Sequence, residues 1–190
     1  MDKRIVYTRA DGGCSIVTPA PHGRRFVKDM HDGTGKVVFP AGSCLPRKAF
    51  TPKGVAGLIR AGLLEDDDAF MARIITGLPA DAKEVRVADA SEIPTDRTFR
   101  DAWRNNGKGR LEVNMPMARE LWRDLMRAAR APRLAALDVE YQRADETGDT
   151  ARKADVARRK QVLRDVTADP RIEASTAPDE LKAVWAGVLA

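Results

Sequence analysis

Apolar positions follow a strand-like pattern at the start of the chain and a helical period in its second half. Arg4-Ile5-Val6-Tyr7-Thr8 and Ser15-Ile16-Val17-Thr18 are β-rich runs on either side of Ala10-Asp11-Gly12-Gly13. Glycine accepts the positive φ of a tight turn, so Ile5–Val17 predicts a β-hairpin. Pro19 and Pro21 end its second strand, and residues 19–46 read as loop apart from Lys36-Val37-Val38-Phe39. Thr51-Pro52 pairs a capping hydroxyl with a proline at the first helical position. A short helix through Val55, Leu58 and Ile59 follows and stops at Gly62. Glu65-Asp66-Asp67-Asp68 supplies carboxylates to the positive end of a second helix, closed by Gly77. Glu84-Val85-Arg86-Val87-Ala88 returns to strand.

Beyond the linker Ser91–Asp96, Thr98–Arg104 predicts two helical turns with Phe99 and Trp103 on one face, stopped at Asn105-Asn106-Gly107. Asn114 is placed to cap a long helix. From Pro116, Ala118, Leu121, Trp122, Leu125, Met126 and Ala129 recur at three- and four-residue steps, a single helical face. Pro132 predicts a kink or short break. Leu134, Leu137, Tyr141 and Ala144 resume the stripe, and Gly148 stops it. Asp149 or Thr150 then caps a second helix carrying Ala154, Val156, Ala157, Leu163 and Val166. A short turn between amphipathic helices predicts an antiparallel helical hairpin over 116–166. Thr176-Ala177-Pro178-Asp179 resembles a capping box before a last helix with Leu181, Val184 and Trp185. The expected fold class is α+β, with a small β-hairpin-containing unit at residues 1–90 and a helical-hairpin unit at residues 91–190.

The hairpin stripe is alanine-rich and buries little area alone, so a partner surface is expected on it. Leu121, Trp122, Arg123, Leu125, Met126, Arg127 and Arg130 are the candidate interface, of residue types that include those enriched at interface centres. Charge supports self-contact. Residues 1–60 hold 11 Lys/Arg against 4 Asp/Glu, residues 61–96 hold 3 against 9, residues 97–165 hold 17 against 11, and residues 166–190 hold 2 against 4. Signs that alternate along a chain of net charge +5 leave complementary surfaces on one molecule. Arg119, Arg123, Arg127 and Arg130 line one helix face and offer phosphate contact. Glu120, Asp124, Asp155 and Asp165 interleave with the basic residues, which puts a solvated face ahead of nucleic acid.

Candidate chemistry is thin. Cys14, His22, His31 and Cys44 match no common zinc spacing. Asp66–Asp68 lacks the alternating ligands and glycine of a calcium loop. Asp32-Gly33-Thr34-Gly35-Lys36 has half of a phosphate-loop motif and reads as a turn before a strand. No serine or cysteine sits in a nucleophile elbow. No catalytic, metal or cofactor residue is therefore expected, and the chain is read as non-enzymatic. Two cysteines make no disulfide framework. No run of 18 apolar residues exists, so a soluble chain without membrane insertion is expected.

Several stretches resemble a C-terminal module of phage and prophage late-gene proteins. They are Ile93–Trp103, Met117–Glu120, Arg130–Asp138, Arg159–Val166 and Glu180–Trp185. Leu134-Ala135-Ala136-Leu137-Asp138 followed by Lys160-Gln161-Val162-Leu163-Arg164-Asp165 is similar to the C-terminal region of tail-assembly chaperones and tail-fibre assembly proteins. The hairpin Ile5–Val17 looks like the start of the same proteins, while residues 22–80 depart from them. The resemblance implies a virion structural or assembly protein of the tail or its fibres, located in the virion or in the host cytoplasm during assembly. Its partners would be phage structural proteins or copies of itself. The alternative is a phage-encoded regulator or inhibitor that binds a host protein or nucleic acid through its basic helices.

Overall fold

In the computed structural model, which describes residues 2–185 and 187–189, about 49% of the chain is helical and 16% is strand. Small antiparallel sheets come early and long helices late, so the fold class is α+β. The first elements are β1 (Lys3–Thr8), β2 (Cys14–Val17), β3 (Met30–His31), β4 (Val37–Phe39), α1 (Pro52–Arg60), α2 (Asp67–Thr76) and β5 (Lys83–Asp89). After two short 3-10 turns come β6 (Trp103–Arg104), β7 (Glu112–Val113), α3 (Met115–Glu146), α4 (Thr150–Asp165), α5 (Pro170–Ala174) and α6 (Pro178–Ala183).

Two units divide these elements: Met1–Thr95 with Arg104–Glu112, and Asp96–Trp103 with Val113–Ala190. Where the sequence suggests a single passage near residue 90, the chain passes between units at 95/96, 103/104 and 112/113. The returning segment is held in the first unit by long-range bonds. Asn105 Nδ2 donates to Glu84 O at 2.7 Å, and Leu111 N–H donates to Glu92 O at 3.1 Å.

The first unit is built on the expected hairpin. Ile5 pairs with Val17 and Val6 with Ile16. Gly12 takes φ 78°, and Asp11 Oδ1 accepts the Gly13 N–H at 2.8 Å. β5 adds antiparallel to the other side of β1, giving the order β2-β1-β5. The Gly/Pro-rich stretch is more ordered than its composition suggests. β3 pairs with β4, and Phe26, Leu45 and Leu64 form a core with Met30, Phe39, Phe50, Val55, Leu58 and Ile59 around it. Phe26 stacks on Phe39 at 5.1 Å, and Phe50 meets Phe39 edge-on. Asp32 Oδ1 accepts from Thr34 N–H and Lys36 N–H, so the phosphate-loop-like stretch is the β3–β4 turn. Both expected caps form: Thr51 Oγ1 accepts from Gly54 N–H, and Asp66 Oδ1 from Ala69 N–H.

The second unit centres on α3 and α4, joined through Thr147, Gly148 at φ 70° and Asp149. Asp149 Oδ1 caps α4 by accepting Arg152 N–H at 2.9 Å. Local expectations are met only in part here. Pro132 lies inside a continuous 32-residue helix rather than at a break. Its missing N–H would have bonded Ala128 O, and both residues are exposed, so solvent can satisfy that carbonyl. Asn114 is the N-cap of α3 without a side-chain capping bond. Residues 98–104 form one 3-10 turn and a strand instead of two α-turns, although Phe99 and Trp103 are both buried. At α6 the capping acceptor is Glu180, which takes Thr176 N–H at 2.8 Å and Ala177 N–H at 3.3 Å.

Candidate interaction surface on the helical hairpin

Helical geometry separates the seven candidate interface residues. Trp122 and Met126 are buried within the core of their own unit, with Ala118, Leu137, Val156, Leu163, Ile172 and Leu181. Trp122 packs on Phe99 at 5.8 Å and on Trp185 at 5.1 Å between ring centroids. Leu121 is partly buried against the same cluster. Leu125 is displaced by about 100° from Met126 around the helix and is 44% exposed. Of the expected stripe, Ala118, Trp122, Met126 and Leu137 are buried, and Leu121, Ala129 and Leu134 pack partly buried against them, while Leu125 turns outward.

The arginines divide in the same way. Arg123 donates to Thr167 O at 3.3 Å and to Glu120 at 2.5 Å, and it also meets Glu173. Those carboxylates, Glu173 foremost, hold its pKa above the ordinary value, and Arg123 in turn holds Glu173 below its own. Arg119 donates to Ser175 O at 2.9 Å. Arg130 reaches Arg164 O at 2.6 Å and Leu163 O at 3.3 Å. These are carbonyls of the last turn of α4, which lack intrahelical partners and sit at the negative end of its dipole. So Arg119, Arg123 and Arg130 pin α3 to the end of α4 and to α5. Arg127 faces outward and, among the described residues, bonds only Asp124, at 2.5 Å. Acidic and basic residues pair on α4 too, with Arg159 on Glu140 at 3.1 Å, Lys160 on Asp138 and Arg158 on Asp155.

Periodicity alone misses a different apolar surface. Ala136 and Leu137 of α3 and Val162 and Leu163 of α4 line a groove of about 360 Å³, rimmed by Arg133, Glu140 and Arg159. Val162 is 51% exposed. The signal available in the sequence was a valine standing off the buried stripe of α4, between Gln161 and Leu163.

In the first unit, charges are organised by burial. The Arg24 guanidinium is buried, donates to Glu65 O and Asp66 O at 2.8 and 2.7 Å, and pairs with Asp67. Arg24 and Arg73 both lie against the Phe70 ring. Glu65 is buried, and its bonds to Arg73 and to Arg25 N–H hold its carboxyl below the usual range against the effect of burial. The expected helix-start role falls to Asp66 as the cap with Asp67 and Asp68 in the first turn, while Glu65 serves packing. Beside them a cleft of about 520 Å³ runs between His22, Arg47 and Phe50. Cys14 and Cys44 are free thiols. Among the described residues no group of three or more His, Cys, Asp or Glu is placed to hold a metal ion, and no helix is long and apolar enough to cross a membrane.

No protein-family model, no curated protein and no solved structure matches this chain.

Proposed function

We propose that this chain is a non-enzymatic phage-type virion or assembly protein, of the tail or tail fibres, that acts through protein–protein contacts on its helical hairpin. The observation that carries the proposal is the open α3–α4 groove. It presents Ala136 and Val162 between rims of both charges, Arg133 and Arg159 against Glu140. An apolar centre inside a charged rim is the anatomy of a protein contact. The likeness of the segments around Leu134–Asp138 and Lys160–Asp165 to tail-assembly proteins supplies the setting. Arg119, Arg123 and Arg130 already bond within the second unit, which supports protein over nucleic acid as the partner.

The test is co-purification from cells producing particles, with wild type and Val162→Asp compared by mass spectrometry of the captured proteins. Capture of tail proteins by wild type and its loss in the variant is the expected outcome. Binding of DNA or RNA at physiological salt by both chains, with no particle protein captured, would replace it with the regulator alternative.

A further inference from the structure

The three-stranded sheet of the first unit ends at β5, which among the described residues bonds β1 on one side and no strand on the other. One bond fixes which groups face outward. Ala90 N–H donates to Asp2 O at 2.9 Å, so Asp2–Ala90 is a hydrogen-bonded pair of the β1–β5 ladder. Such pairs recur at every second position of an antiparallel ladder. Arg4–Ala88 and Val6–Arg86 are then hydrogen-bonded, and Ile5–Val87 is not. The main-chain N–H and C=O groups of Val87 and Asp89, and the C=O of Val85, therefore point away from β1.

The two ends of this edge are occupied. Asp89 N–H is taken by Glu92 Oε1 at 2.8 Å, and Glu84 O accepts from Asn105 Nδ2 at 2.7 Å. A register shift and the positive φ of Glu84, 50°, end the regular edge there. Between them Val85 and Val87 stand 36% and 44% exposed on one face of the sheet. Arg86, between the valines, is turned to the opposite face, bonding Asn105 and Glu92.

We propose that the edge of β5 pairs antiparallel with β5 of a second copy, about a two-fold axis at Arg86. In that register Val85 lies opposite the partner copy's Val87, and the reverse. In each of the two equivalent pairs the outward Val87 N–H of one copy donates to the outward Val85 C=O of the other. The four valines meet on one face as cross-strand neighbours. The strand carries Lys83 at one end and Asp89 at the other, so antiparallel pairing brings opposite charges together at both ends of the contact. A parallel copy would set like beside like. The result is one continuous sheet through two first units, by the edge addition that open strands favour. This contact is separate from the hairpin groove and holds whatever that groove binds.

Sedimentation of the full chain across a wide concentration range tests it. Wild type self-associates to a dimer. Val87→Pro deletes one outward N–H and no β1 bond, so it shifts the chain to monomer with little change in unfolding midpoint. Val85→Lys does the same by placing charge against the partner's Val87. Val162→Asp leaves the dimer intact. Register is read on a Cys14→Ser/Cys44→Ser background, where Val85→Cys mixed with Val87→Cys cross-links faster than either alone. A chain that stays monomeric throughout, or a dimer unaffected by Val87→Pro, overturns the proposal. Equal cross-linking in all three mixtures overturns the register.

Discussion

The Arg73 guanidinium grips the Glu65 carboxylate at two points, Nε to Oε1 at 2.6 Å and Nη2 to Oε2 at 2.9 Å. Glu65 precedes α2 and Arg73 lies within it, so the pair fixes the helix to the strand-like segment before it. Arg25 N–H also donates to Glu65 Oε2, at 2.9 Å, and Arg73 Nη2 donates to Gly23 O at 2.7 Å. One buried carboxylate thereby ties residues 23–25 to α2.

Replacing Glu65 by Gln should cost roughly 1.5–3 kcal/mol, the range for hydrogen bonds to charged groups. The pH dependence carries a sign. The folded-state pKa of Glu65 is depressed, with Arg73 as the largest cause. Its contribution is therefore full above the unfolded carboxyl value of about 4.3 and fades as pH falls through and below it. Urea midpoints of wild type and Glu65→Gln should draw together as pH falls below about 4.3. A gap that stays constant over that range would show that the ionised carboxylate is not the stabilising form.

Adjacent positions on α3 should respond very differently to the same truncation. Met126→Ala, inside the core, is expected to cost about 2–5 kcal/mol. Leu125→Ala should stay near 0.5 kcal/mol, as at other surface positions. Thermal unfolding of the two variants checks which face is buried. Equal losses would return Leu125 to the core.

Pro132→Ala should stabilise the protein, by on the order of 1–3 kcal/mol, because it restores an interior N–H and removes a ring that crowds the preceding turn. Circular dichroism should show unchanged or higher helicity. A loss of stability would mean that packing of α3 depends on a bend at that proline.

Arg130→Met keeps much of the apolar stem and removes the bonds to Leu163 O and Arg164 O. A loss of about 1–2 kcal/mol is expected. Arg127→Met, which gives up only an exposed i,i+3 pair with Asp124, should change stability by less than about 0.5 kcal/mol. Chemical denaturation of the two variants separates a structural arginine from a solvated one.

Interactions spanning a few residues were legible in the sequence. The turn at Asp11-Gly12, the caps at Thr51, Asp66 and Asp149, and the stop at Gly148 each need only side chains and backbone within about one helical turn. Those residues meet whatever the rest of the chain does, and the α+β division follows from the change of hydrophobic period. The hairpin groove, by contrast, needs two helices side by side before Ala136 and Val162 share a surface. Tertiary packing likewise decided that Met126 and not Leu125 turns inward, since the apolar band on α3 is wide enough for either. It decided that solvent faces the carbonyl left open by Pro132, and that Arg130 caps a helix more than thirty residues away. It also placed β5 beside β1, leaving Val85 and Val87 on an open edge. Each of these depends on which distant groups exclude water from one another, and a local pattern of polar and apolar residues does not encode that choice.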